Sequence, residues 1–169
     1  MQAQDVFRWS LNRSNEYLTA ALDGLTQQEF GWRPGPESNC AAFVMWHMTR
    51  VEDFFVNRVI QKQTEVYEAQ GFREKMGTPP KDTGNSYTVD KLQAWQAPKL
   101  EDLKAYNNAV RKTTFALLDA VTPAKLDEVL NPERSKESVG EMLSRVTTEA
   151  AHHTGQIAYL RGLQRGLNK

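Results

Sequence analysis

Along four stretches of this chain apolar residues recur every three to four positions, the interval that puts them on one face of a helix. In the first, 5–25, Val6, Phe7, Leu11, Leu18, Ala21, Leu22 and Leu25 fall in phase, with Asn12, Arg13, Asn15 and Glu16 opposite. Gly24 and Thr26 mark its end, and two glycines and two prolines make 30–36 a breaker-rich connection. Ser38 or Asn39 is expected to cap the second helix, 40–61. Its line is Cys40, Phe43, Val44, His47, Val51, Phe54, Phe55 and Val59, while Arg50, Glu52, Asp53, Asn57 and Arg58 lie mostly elsewhere. The third stretch, 100–121, carries Leu103, Tyr106, Val110, Thr113, Thr114, Leu117, Leu118 and Val121 in phase. Thr122-Pro123 stops it and starts a short helical turn through Leu130, and 131–136 reads as an exposed polar loop. A capping box, Ser138 with Glu141, opens the fourth helix. Its inward line runs Val139, Met142, Leu143, Val146, Glu149, Ala150, His153, Ile157 and Leu160, fading near Gly166.

Between the second and third helices the pattern loosens. Gly71, Gly77, Pro79, Pro80, Gly84 and Pro98 interrupt 62–98, leaving room for one short helix in 66–76 and another in 89–95 capped by Thr88. The connection is far longer than the roughly 2–8 residues of a tight helix hairpin, so it is expected to cross the end of a bundle and to be able to cover a site. A linker between two domains is the other reading, but neither half looks self-sufficient. No strand and no repeat is visible. The expected fold is an all-α four-helix bundle forming a single domain over 1–169.

Composition narrows the function classes. At 169 residues, 40% hydrophobic and 25% charged, the chain can bury a core without disulfides. Twenty-one Lys and Arg balance 21 Asp and Glu, so no net field favours nucleic acid or an anionic membrane. No run approaches the roughly 20 apolar residues of a membrane span. The residues after Met1 do not read as a signal peptide, and the one cysteine, Cys40, fits a reducing compartment. The expected location is cytoplasmic.

Three polar residues interrupt the apolar lines. Glu149 and His153 are four apart on one helix and share a face; His47 stands in the line of another. A buried carboxylate without partners costs several kcal/mol, so Glu149 needs compensation. Salt-bridged and hydrogen-bonded core residues would supply it. So would a metal ion, because bundle cores build such sites from facing helices, and two imidazoles with one carboxylate suit zinc or iron(II). Three protein ligands would leave positions open for water or substrate. His152 is about 100° round the helix from His153 and reads as a surface or interface residue. Gly155 is expected to let a helix or substrate come close, Gln156 to orient a ligand or pack, and Arg161 and Arg165 to be solvated charges suiting the helix dipole. Cys40 reads as a small buried residue, and Trp9, Trp32, Trp46 and Trp95 mostly as packing. No glycine-rich phosphate loop, nucleophile elbow or CxxC pair is present.

The segments FVMWHMTRVEDFF around His47 and EAAHHTGQIAYLRGLQRG near the C-terminus, with LTQQEFGWRPGPESN between the first helices, resemble the DinB/YfiT-like superfamily of four-helix-bundle metalloenzymes. The resemblance implies an up-down-down-up arrangement with 62–98 as the crossover, frequent homodimers, and a divalent metal held by His47, Glu149 and His153. Many members have histidine where this chain has Glu149. The His-Glu-His set is similar to that of the mycothiol-dependent maleylpyruvate isomerase branch, and it favours zinc or another harder ion over nickel, with iron or manganese as further candidates. The activity implied is that of a thiol-dependent S-transferase acting on a small molecule, the metal activating a low-molecular-weight thiol. A metal-dependent hydrolase is the neighbouring alternative, and a non-catalytic, stress-related metal-binding or interaction protein is the alternative of a different class.

Overall fold

The computed structural model describes residues 2–131, 133 and 135–166. Four long helices carry the fold: α1 (Ala3–Leu22), α3 (Ala41–Asp53), α7 (Leu100–Ala120) and α9 (Val139–Arg165). Short helices fill the connections: α2 (Gln27–Gly31), α4 (Val66–Ala69), α5 (Phe72–Met76), α6 (Val89–Ala94) and α8 (Pro123–Asp127). No strand forms among the described residues, where an isolated bridge pairs Val129 with Ser138. The expected all-α class is what the structure has. Among the described residues no helix is long and apolar enough to cross a membrane.

Side-chain pairings set the relative directions of the long helices. Arg161 near the end of α9 donates to the carbonyls of Ala21 and Asp23 at the end of α1, so these two run in one sense. Thr49 and Asn57 meet Asn107 and Thr113 in the same order, so α3 and α7 also run alike. Arg8 at the start of α1 meets Phe115 and Asp119 at the end of α7, which opposes the two pairs. The core between them is contiguous, from Leu11 through Phe30, Trp46, Leu103 and Tyr106 to Ile157.

Local chemistry moved several boundaries. Residues 27–31, which overlap the expected breaker-rich connection only at Phe30 and Gly31, form a helix that Thr26 and Glu29 open with a capping box. The cap of α3 is Cys40, not Ser38 or Asn39: its Sγ accepts from the Phe43 amide at 3.4 Å. The thiol is buried, and desolvation pushes its pKa up, so it packs. The second helix is α-helical only to Asp53 and continues as a π segment, Phe54–Ile60. Gly71, at φ +70°, splits 66–76 into two helices. The loop expected over 131–136 falls partly outside the described residues, at Pro132 and Arg134. Arg165 is no solvated charge. It donates twice to Glu29 at 2.7 Å, and this hydrogen bond is the main reason the Glu29 pKa is held down at about 2.

The largest departure is on α3, whose supposed polar face is inside. Arg50, Glu52, Asp53 and Asn57 are each at most 2% exposed. Glu52 accepts from Thr114 at 2.6 Å and lies 2.9 Å from Arg111, both on α7. Asp53 is more heavily used. One oxygen takes Asn57 at 2.8 Å and the Val66 amide at 2.9 Å; the other takes the Tyr67 amide at 2.9 Å and the Tyr106 hydroxyl at 2.7 Å. Removing one member of a buried charged network leaves its partners unpaired and typically costs about 3–5 kcal/mol. Asp53→Ala should therefore lose on that order in urea unfolding, whereas the exposed Glu16→Ala should stay within about 0.5 kcal/mol of the parent. A loss at Asp53 no larger than at Glu16 would show that the network contributes nothing net.

Candidate metal centre

His47 sits in the middle of α3, and Glu149 and His153 one turn apart on α9, which crosses α3 in the opposite sense. That crossing brings all three expected residues together: one donor atom from each lies within 4.8 Å of the other two. The His47 and His153 rings meet edge to face with centroids 5.0 Å apart. Donors on a tetrahedral zinc lie roughly 3.4 Å from one another, so small side-chain adjustments would let the three share one ion. The cluster lies at the margin of the core, where the Glu149 side chain is 33% and the His153 side chain 12% exposed. Glu149 is thus not the fully buried carboxylate that the unbroken apolar line suggested.

The surrounding hydrogen bonds decide which ring nitrogens are available. His47 Nδ1 lies 2.5 Å from the Thr83 carbonyl. A carbonyl only accepts, so Nδ1 carries the proton and Nε2 keeps its lone pair. Burial lowers the His47 pKa, against the opposing pull of that carbonyl, and so favours the neutral, ligating form. His153 presents Nδ1 to the Gln156 amide oxygen at 2.8 Å and Nε2 to a Glu149 oxygen at 2.8 Å. Both partners are acceptors, but a neutral imidazole has one N–H. With the proton on Nδ1 the Nε2 lone pair faces the Glu149 carboxylate, an arrangement that a shared cation satisfies, as would an imidazolium–carboxylate pair or a turned Gln156 amide. The donor set fits a divalent ion because two imidazole nitrogens and one carboxylate oxygen converge from two helices.

Gln156 has a second partner. Its Nε2 lies 3.3 Å from His152 Nε2, and the His152 ring stacks on His153. His152 is exposed and outside the donor cluster, as expected, yet it shares Gln156 with His153. Gly155 does not serve a close approach: a Cβ there would meet nothing within 4 Å. Of the four tryptophans, Trp46 and Trp95 pack in the core, whereas Trp32 and Trp9 are exposed.

Sequence reasoning gave the crossover a position but no atoms. Its turn at 82–84 closes on α3 through the backbone: Arg50 donates to the Asp82 carbonyl at 3.0 Å and His47 to that of Thr83. Asp82 holds the turn from inside, accepting from the Gly84 amide, Tyr87 and Lys91. A glycine in a breaker-rich stretch was the only available signal. Beside the cluster a cavity of about 330 Å³ is lined by His47, Glu149, Val51, Phe54 and Phe55, among others.

An all-helical fold with two imidazoles and a carboxylate converging from two crossing helices defines a class of helical bundle proteins with a metal-type donor set. The family described as the DinB superfamily matches residues 10–157, and the chain belongs to that superfamily. A crystal structure of a conserved protein from Enterococcus faecalis is similar over 96% of this chain and 97% of that one, at TM-score 0.86 and 21% identity, a likeness of fold. No curated protein matches the sequence.

Gly84 gives the arrangement a handle. It is at φ +83°, and a Cβ there would lie 2.9 Å from the Trp46 ring, 3.0 Å from that of Phe43 and 3.4 Å from His47 Nδ1. Gly77 has the same left-handed backbone, φ +63°, with nothing within 4 Å. Ala at either position should cost about 1–2 kcal/mol for the backbone. Gly84→Ala should lower the melting temperature further than Gly77→Ala and shift the His47 Nδ1–H resonance, which Gly77→Ala should leave in place. Equal melting temperatures with an unmoved resonance would separate the turn from His47.

Proposed function

We propose that His47, Glu149 and His153 hold one divalent metal ion, zinc first among the candidates, and that the protein is a thiol-dependent S-transferase. The observation that carries the metal reading is the convergence of two imidazole nitrogens and a carboxylate oxygen, all within 4.8 Å of one another. Glu149 supports zinc or another hard ion over nickel, since a carboxylate replaces the third nitrogen. When bound, the ion lowers the pKa of a small thiol and presents the thiolate to an electrophile.

The residues of the chain supply the rest. The Thr83 carbonyl and the Gln156 amide orient the two imidazoles and fix their tautomers. Val51, Phe54 and Phe55 wall the adjacent cavity with apolar surface that displaces water from a bound substrate. The thiol-transferase activity rests on the family likeness together with this open, partly apolar cavity. The buried Cys40 and the neutral charge balance agree with a cytoplasmic enzyme whose partner is a small molecule.

Elemental analysis of the native protein should find about one divalent ion per chain. His47→Ala and Glu149→Gln should each lose it while helical circular dichroism is retained. The metal-loaded protein should consume a thiol with 1-chloro-2,4-dinitrobenzene, and the variants should not. Metal content unchanged in both variants would remove the triad from the site. Full metal content with no thiol consumption, but hydrolysis of an ester or amide panel, would replace the transferase by a hydrolase.

A homodimer is part of the same reading. Between α1 and α9 runs a mainly apolar groove of about 640 Å³, bordered by Trp9 and Tyr17, at 64% and 59% exposure, and by Ala151, Gly155 and Ala158. Large aromatics left in water beside small residues suit a self-complementary contact between copies. Sedimentation should give a dimer, and Ala158→Glu should convert it to monomer without changing metal content. A parent that sediments as a monomer at micromolar concentration sinks the dimer.

A further inference from the structure

The cavity next to the donor cluster differs in charge from the molecule around it. Besides Arg50 of α3, which Glu65 pairs, and the donor Glu149, it is lined by cations from three further elements: Arg58 of the π segment, Arg145 of α9, one turn before Glu149, and Lys81 of the crossover. The two guanidiniums are held against the wall, Arg145 over the Phe55 ring at 5.2 Å and Arg58 over Phe54 at 6.0 Å. A second cavity, of about 680 Å³, shares Arg58 and Lys81 with the first and adds Lys62 and Arg73. The two therefore adjoin, and the cationic lining extends from the donor cluster outward.

The local carboxylates do not cancel this charge. Glu65 is occupied by Arg50 at 2.5 Å and Arg58 at 3.2 Å, and Glu68 by Arg73 at 3.0 Å. Arg145 pairs with Glu137, which is not among the lining residues. Lys62 and Lys81 have no acidic partner among the described residues. On a chain whose charges balance overall, two unpaired lysines beside a candidate ion site form a local positive field that an anion would neutralise.

We infer that this mouth binds the anionic end, carboxylate or phosphate, of a small molecule whose other end reaches the triad and whose apolar part lies against Phe54 and Phe55. The inference deepens the thiol-transferase reading and rests on it only for which atom reacts at the triad. Lys62 and Lys81 supply the attraction, and Arg58 and Arg145 line the same space as further guanidinium donors.

The test titrates the full-length protein, followed by amide NMR, with two small thiols, mercaptosuccinate and the neutral thioglycerol, each with and without added Co²⁺. Mercaptosuccinate should bind about tenfold more tightly than thioglycerol, a preference that shrinks as salt is raised. In a Lys62→Glu, Lys81→Glu double variant the preference should vanish while thioglycerol affinity is unchanged; the matching double Lys→Arg variant should keep it. Equal affinities in the parent, or a preference that survives charge reversal, overturns the inference. Protein that takes up no cobalt but keeps the preference sinks the metal reading and leaves the anion site standing. Cobalt uptake without preference does the reverse. Succinate and inorganic phosphate, titrated alongside, assign the anion: whichever competes better with mercaptosuccinate names the group.

Discussion

A single carboxylate with no exposure, Asp53, fixes where the rest of the molecule can go. Its oxygens gather Asn57, the amides of Val66 and Tyr67, the Tyr106 hydroxyl and, at 3.5 Å, Arg50. These groups come from the end of α3, the π segment, the start of the crossover and α7. A buried anion is tolerable only while its partners stay in place, so each element is held by the others' need for it. The crossover therefore leaves α3 in one direction. Tyr67 extends the constraint through its hydroxyl, which meets Thr78 and the Pro79 carbonyl, and four residues later the turn at 82–84 closes on Arg50 and His47. The tautomer of His47 depends, through this route, on a carboxylate two turns further along the same helix.

The polar groups of the interior divide by whether they are satisfied from within. Arg50 has Asp82, Tyr106 and Glu65 as partners and stacks 3.9 Å from the Tyr67 ring centroid; Glu52 has Thr114 and Arg111. Groups paired in this way hold helices in register, although Arg111 Nε finds no hydrogen-bond partner of its own. His47, Glu149 and His153 differ. They are partly exposed, His47 and Glu149 border a cavity, and His47 keeps an Nε2 lone pair that no hydrogen bond uses. Charged residues are numerous throughout this core, so a charge inside is a poor marker of function here. Incomplete hydrogen bonding beside open space is the better one.

This contrast also explains what could be seen in the sequence. The long helices were legible because a 3.6-residue period is a local property, and Glu149 with His153 because a four-residue spacing is local too. His47 stood out as a polar residue in an apolar line, and family likeness strengthened its pairing with the other two, since nothing within α3 shows what lies across from it. The inward turn of Arg50, Glu52, Asp53 and Asn57 was hidden for the same reason. Their side of α3 looks polar until α7 and the crossover cover it with matching donors. The orienting group on His47 is a backbone carbonyl, which any residue at 83 would supply, so no side-chain pattern announces it. The Arg165–Glu29 pair joins residues at opposite ends of the chain and was equally out of reach.

The crossover has two duties at the same few residues, and the physical question is how they coexist. Thr83 orients His47 while Lys81, Thr83 and Asn85 line the cavity, so the strap that sets the imidazole is also a wall of the cavity. A loose strap would lose the tautomer on binding. This one is anchored from behind: burial alone would raise the Asp82 pKa, but hydrogen bonds from Lys91, Gly84 and Tyr87 outweigh it and keep the carboxylate charged. Tyr87 in turn packs on Phe43, which also meets Trp95. Gly84 lets the strap lie against Trp46 with no side chain between. The strap is thus rigid on its inner face and presents its free lysine outward. That division allows charge at the mouth to vary without disturbing the imidazole behind it.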